Sequence, residues 1–194
     1  MSKKENRMFE VRAAESDKMI VEGYAIVFDA PATHYGFTEI VDKNALSGAD
    51  MKDVPLKYNH SDEHLIMART RNNSLSLVID DHGLLMRAEL IDTTSNRDIY
   101  TSVQAGLLDK MSFAFTTAKD EWDYDTDTRR ILGIDKLYDV SIVDVPFYDQ
   151  TSVGARFDNS EDVVKEYKRK KQKKYADEIQ RKLLIADIER KLGR

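Results

Sequence analysis

No cysteine occurs among the 194 residues, which removes disulfides, thiolate metal ligands and cysteine nucleophiles together and favours a reducing compartment. Proline and glycine are scarce: all 3 prolines (Pro31, Pro55, Pro146) and all but one of the 8 glycines lie before Phe157. Turns therefore belong to residues 1–156, and the remainder has little to interrupt a helix. No apolar run is long enough to span a bilayer, and the opening Ser2-Lys-Lys-Glu-Asn-Arg7 contains no hydrophobic signal region, so a soluble protein without a secretory leader is expected. Neither sign of charge dominates the whole, at 30 Lys or Arg against 35 Asp or Glu. The distribution is uneven, however. Residues 157–194 carry 12 basic and 8 acidic side chains, a net +4, which leaves −9 on residues 1–156. That break, with a length that suits one domain plus an appendage, sets the expected organisation: a body over 1–156 and a charged helical tail over 157–194.

What the body does contain is strand-like alternation. Val21-Glu-Gly-Tyr-Ala-Ile-Val-Phe28 is β-branched and aromatic, Ser74-Leu-Ser-Leu-Val-Ile79 alternates, and Leu84 to Ile91 follows a turn at Asp81-His-Gly83. Leu137-Tyr-Asp-Val-Ser-Ile-Val-Asp-Val145 stops at Pro146. Short strands joined by tight turns predict a barrel or sandwich. Between them Ser95 to Ala105 reads as the best body helix, with Ser95 as its cap, Ile99 and Val103 on one face and Gly106 at its end. A shorter helix is expected from Asp42 through Leu46.

Two segments carry chemistry. In Asp109-Lys-Met-Ser-Phe-Ala-Phe115 the large side chains Met111, Phe113 and Phe115 fall on one strand face, and Ser112, Ala114 and Thr116 fall on the other, where a peptide backbone could approach. Upstream, Val54-Pro-Leu-Lys-Tyr-Asn-His60 is a strand-like run ending in the side chain best suited to take a serine's proton near neutral pH. The pair points to a serine peptidase, which needs neither cofactor nor metal.

These blocks, in this order, resemble the prohead maturation proteases of tailed bacteriophages. The resemblance runs over residues 8–156 and rests on Gly23-Tyr-Ala-Ile-Val-Phe28, the Val54 to His60 segment, Asp81-His-Gly-Leu84, Asn96-Arg-Asp-Ile-Tyr100 leading to Gly106-Leu-Leu-Asp-Lys-Met-Ser-Phe113, and Leu137-Tyr-Asp-Val-Ser-Ile-Val143 with Pro146 and Thr151. It implies an α+β fold related to the herpesvirus capsid-assembly proteases: a mainly antiparallel β-barrel flanked by a few helices, here followed by the charged C-terminal helix. It also implies the task of cleaving the major capsid protein and its scaffold segment, and the protease's own tail, inside an immature procapsid in the host cytoplasm. Carried over to matching positions, the resemblance makes Ser112 the nucleophile and His60 the general base and then acid. Asp139 becomes the carboxylate that orients the imidazole, standing where the family usually has glutamate. His64 and His82 are alternatives for that third role, since related capsid proteases use a second histidine. Ala114 stands in place of a common glycine, and Met67-Ala-Arg69 in place of a frequent Ile-Gly-Arg.

A rival enzyme reading comes from His60-Ser-Asp-Glu63-His64, which satisfies the zinc-binding pattern His-x-x-Glu-His. That pattern works on a helix, where the two histidines share a face. Here a strand precedes it, and Asn59, Ser61 and Asp62 favour a turn. The non-enzymatic rival is a capsid scaffold or assembly protein whose tail does the binding. In that tail Tyr175, Ile179, Leu183 and Ile188 line a narrow stripe, but Lys168 to Lys174 has no apolar member and breaks any heptad. A solvated helix or a peg for an acidic or helical partner is expected, with homo-oligomerisation open. A nucleic-acid role finds no accompanying fold and is opposed by the body's charge.

Overall fold

The computed structural model describes residues 11–13, 18–34, 36–144 and 160–191. Contacts divide the chain into two compact units, residues 1–155 and 156–194. The first unit is α+β, with two sheets that are mostly antiparallel.

The first sheet has the order β1 (Val11–Ala13), β2 (Ile20–Val27), β8 (Gly83–Glu89), β7 (Leu75–Ile79), antiparallel throughout. The turn between β7 and β8 closes because Asp80 Oδ1 accepts from the backbone N–H of His82 (2.8 Å) and Gly83 (2.9 Å), the side-chain mimicry that makes aspartate a turn residue. Gly83 is there for space: a Cβ on it would lie 2.0 Å from the Ile26 carbonyl oxygen.

The second sheet is organised by one long strand, β10 (Thr128–Val143). Its order is β3 (Ala32–His34), β4 (Phe37–Val41), β10, β5 (Pro55–Tyr58), β6 (Ala68–Arg69), and β9 (Lys110–Asp123) pairs along the other edge of β10. β4 and β5 both run parallel to β10, β4 against residues 128–131 and β5 against residues 140–142. The β9–β10 ladder shifts register four times between Ile131 and Asp139, bulges that bend a strand and re-aim its side chains. Beyond them the register is regular, with Ser141 opposite Ser112.

Both sheets contribute to one core. Val21, Ile26, Leu84 and Met86 come from the first; Leu56, Ile131, Ile134, Leu137, Val140 and Ile142 come from the second. Each such side chain contributes about 1.5–3 kcal/mol of transfer free energy. One charge is drawn into this frame. The Arg129 guanidinium, 8% exposed, donates to Glu39 (2.9 Å), Asp120 (2.7 Å) and Thr117 (3.0 Å) and lies over the Trp122 ring. Burial pushes the Glu39 carboxyl above the usual carboxylate range, and the Arg129 charge offsets only part of that rise.

The helices depart from expectation in detail. α1 (Thr94–Gln104) is capped by Thr93, whose Oγ1 accepts from Asn96 N at 3.2 Å, and not by Ser95. Position 93 has the extended backbone that a cap requires. Tyr100 and Val103 are buried, Ile99 packs beside them, and Gly106 ends the helix at φ 69°. Residues 42–46 do not form a helix but belong to consecutive turns, with Ala45 N bonded to Asp42 O and Ser47 N to Asn44 O. Asp42 Oδ1 accepts from Asn44 N at 3.0 Å, a local bond that competes with helix formation. Neither sheet closes on itself among the described residues, although Val11 N donates to Asp109 O (3.1 Å) and laces β1 to the entry of β9. The expected strand end at Val145, with Pro146 and Thr151, lies outside the described residues.

The second unit contains α2 (Ser160–Lys191). Lys170–Glu166, Lys182–Glu178 and Lys191–Asp187 pair across single turns. Tyr175, Ile179, Leu183 and Ile188 are exposed, and so are Leu184 and Ile185. No helix among the described residues is long and apolar enough to cross a membrane.

Candidate active site

The site is built on the C-terminal third of β10, which is flanked by β5 on one side and β9 on the other. Alternation along β10 puts Asp139, Ser141 and Val143 on one face. Their partners on β9 are Ala114, Ser112 and Lys110, so two serines sit side by side in adjacent strands, with Cα atoms about 4.5–5.5 Å apart. Ser112 is 5% exposed, and Ser141 is fully buried.

His60 reaches this face from the other side. β5 stops at Tyr58, two residues short of the histidine that the sequence placed at the strand's end. The chain then turns through Asn59 (φ 51°) and His60 (φ 53°), left-handed conformations that asparagine tolerates and histidine adopts less readily. Bonds to β10 and to the residue just beyond it hold the turn: Asn59 N donates to Ile142 O (2.9 Å), His60 N to Ser141 Oγ (3.2 Å), and Asp144 N to Asn59 Oδ1 (3.1 Å).

The turn lays the imidazole over β10. His60 Nδ1 lies 2.6 Å from Asp139 Oδ1, with side-chain exposures of 11% and 7%. Ser141 Oγ lies 2.8 Å from the same carboxylate oxygen and 3.1 Å from Nδ1. An ionised carboxylate only accepts, so the contact calls for a proton on Nδ1, and a neutral ring then has its lone pair on Nε2. Nε2 is buried. A neutral imidazole in that tautomer can take a proton from a hydroxyl, and the carboxylate behind it stabilises the imidazolium that results.

Of the three residues offered for the orienting role, Asp139 is the one brought to the imidazole. His64 instead stacks edge-on against Tyr58, with centroids 5.6 Å apart. His82 meets the Tyr24 ring edge-on, with centroids 4.5 Å apart, at the β7–β8 turn in the other sheet. The segment from His60 to His64 is turn and bend, not the helix that the zinc pattern needs, and the described residues hold no cluster of three or more histidine or acidic side chains arranged for a metal. The shorter aspartate still reaches the imidazole because His60 sits in a turn tied directly to β10. Alternation along a strand already puts Ser141 on the face of Asp139; its contacts with His60 arise only from the turn at Asn59 and His60, which no strand pattern announces.

Known proteins supply a second line of observation. The model of the caudovirus prohead serine protease family matches residues 7–167. The prohead protease of Enterobacteria phage HK97 is 29% identical over 141 residues, 70% of this chain and 59% of that protein. The chain thus spans under two thirds of that relative's length. No solved structure matches.

Proposed function

The chain belongs to the caudovirus prohead serine protease family, and we propose from that premise that it is the serine endopeptidase of a phage procapsid, with Ser112 as nucleophile, His60 as general base and Asp139 as the orienting carboxylate. The observation that carries this reading is the 2.6 Å contact between His60 Nδ1 and Asp139 on the face where β9 presents Ser112. In the reaction Ser112 Oγ attacks the scissile carbonyl while His60 Nε2 takes its proton. Asp139 holds the Nδ1–H and the charge that develops on the ring. The imidazolium then protonates the leaving amine, and a water attacks the acyl-enzyme by the same relay.

The substrates in this reading are the major capsid protein and its scaffold segment within the immature procapsid, together with the enzyme's own tail. The small-residue face of β9 at Ala114 and Thr116 gives room for a substrate backbone to pair as an added strand. The barrel implied by the family's relatives is part of the proposal, supported by the Val11–Asp109 bond between the two sheets. α2 serves recruitment: its Lys168 to Lys174 run suits an acidic scaffold segment, and tethering raises the local substrate concentration without altering the site.

Co-expression with the capsid protein, comparing the intact chain with Ser112→Ala by mass spectrometry, tests the reading and maps the cleaved bond. Capsid cleavage that persists in Ser112→Ala refutes it. Indifference to chelators is expected, and activity restored only by zinc would favour the metallopeptidase alternative through His60, Glu63 and His64.

A further inference from the structure

We infer that Ser141 is a positioning residue that fixes both the tautomer and the placement of the His60 imidazole; the inference rests on the Ser112, His60 and Asp139 reading above. Ser141 is fully buried in the middle of the sheet, where a hydroxyl carries a desolvation cost that alanine of nearly the same volume avoids. Its oxygen nevertheless meets three groups of the site: Asp139 Oδ1 at 2.8 Å, His60 Nδ1 at 3.1 Å and the His60 backbone N–H at 3.2 Å.

The hydroxyl of Ser141 has a separate donor or acceptor position for each of these contacts. The hydroxyl has one hydrogen and two lone pairs. The hydrogen goes to the carboxylate, which has none to give, so Ser141 fixes the rotation of Asp139 and aims Oδ1 at Nδ1. One lone pair receives the backbone N–H of His60, which helps hold that residue at φ 53°. The other faces Nδ1, whose proton is shared between the serine oxygen and the carboxylate. An imidazole flipped to protonate Nε2 would point a bare Nδ1 lone pair at the carboxylate and leave no acceptor for the nucleophile's proton. Ser141 thus secures the imidazole through its side chain, its backbone and its partner at once. It also stands opposite Ser112 in the ladder, so the same strand position sets the base and faces the nucleophile.

The test uses the full-length chain with two readouts. The first is the 15N spectrum of the His60 ring, which reports the tautomer whether or not the protein cleaves anything. The second is the second-order rate at which a fluorophosphonate labels Ser112, located by mass spectrometry. The wild type should show the Nδ1–H tautomer. Ser141→Ala should give a mixture of tautomers and slow labelling roughly tenfold to a hundredfold, as expected when buried partners lose a hydrogen bond. Ser141→Thr, which restores the hydroxyl, should recover both. Ser141→Cys keeps the volume with a weak donor and should fall between wild type and alanine. A folded Ser141→Ala with wild-type tautomer and labelling rate overturns the inference. If the alanine variant does not fold, a cysteine variant at wild-type values overturns it equally. Ser112→Ala separates the two levels: labelling that survives it refutes the assignment of the nucleophile, while the tautomer measurement still decides the role of Ser141.

Discussion

Asp139→Asn keeps the shape of the orienting side chain and removes its charge, so its effect on rate can be worked from the geometry. Asp139 Oδ1 takes hydrogen bonds from His60 Nδ1 (2.6 Å) and Ser141 (2.8 Å) in a pocket where both ionisable side chains are nearly buried. Toward a neutral imidazole, which is what a general base must be before it acts, an amide oxygen can accept much of the same bonding. In the transition state the ring is cationic. Unit charges with centres about 4 Å apart attract by about 4 kcal/mol at an effective dielectric near 20, and that attraction is what asparagine forfeits. At 1.36 kcal/mol per decade this is roughly a thousandfold in kcat/KM. An amide turned to offer its NH₂ to Nδ1 selects the wrong tautomer and deepens the loss. The deficit should fall on kcat, with KM for a peptide spanning the mapped site unchanged, because the carboxylate touches the imidazole and not the substrate. Thermal stability should change little, since the variant also relieves a buried charge. Steady-state kinetics with a thermal melt on the same samples measures both. Wild-type kcat/KM, or a loss confined to KM, refutes the orienting role.

Ser112→Ala and His60→Ala should each abolish capsid cleavage with the fold intact, and the double variant should be no worse than either single one, because the two act as a unit; circular dichroism with the cleavage assay checks this. Arg129→Ala should cost about 3–5 kcal/mol in urea unfolding, because it strands the buried Glu39 carboxylate. Burial raises the Glu39 pKa, so the folded variant takes up that proton above the usual carboxylate range. The deficit should therefore grow at higher pH and shrink as pH falls through that range, and a pH-independent deficit would contradict the assignment. Truncation after Arg156 should preserve hydrolysis of a short peptide while reducing incorporation into procapsids; a truncated chain that unfolds, or stays folded without hydrolysis, moves the boundary of the catalytic unit.

Much of this was legible in the residues, and the misses have identifiable causes. The strands around Val21, Leu75 and Leu84 show themselves by alternation because each has a buried and a less buried face. The helix end at Gly106 shows itself because glycine there takes a positive φ. The stretch of β10 from Arg129 to Lys136 does not look like a strand: Arg129, Arg130, Gly133, Asp135 and Lys136 are polar or small. Arg129 is inside only because Glu39, Asp120 and Thr117 come from other strands to meet it. The strand Phe37–Val41 does alternate between buried and half-buried residues, though at five residues the pattern is short. At the candidate site, the residue types at positions 60, 112 and 139 suggested the chemistry, but the contact of His60 with Asp139, and not with His64 or His82, depends on the turn at Asn59 and His60. That turn takes its shape from bonds to a strand some eighty residues away, which no local pattern encodes.

The place of β10 in the sheet has a consequence in time. It is the last strand among the described residues of its unit, and it must insert between β9 on one edge and β4 and β5 on the other, the latter two in parallel pairings that join residues far apart in the chain. Pairings of that kind form late, because loop closure must precede any reward. Until β10 is seated, Ser112 has no opposite serine and His60 has neither a carboxylate nor the bonds that fold its turn. A chain whose β10 is not yet seated, or has frayed, therefore carries every residue of the proposed relay with no relay assembled. Activity then reports completion of the sheet, and it should disappear at a lower denaturant concentration than the rest of the body unfolds. For an enzyme proposed to act on the assembly around it, the fold itself delays the first cut.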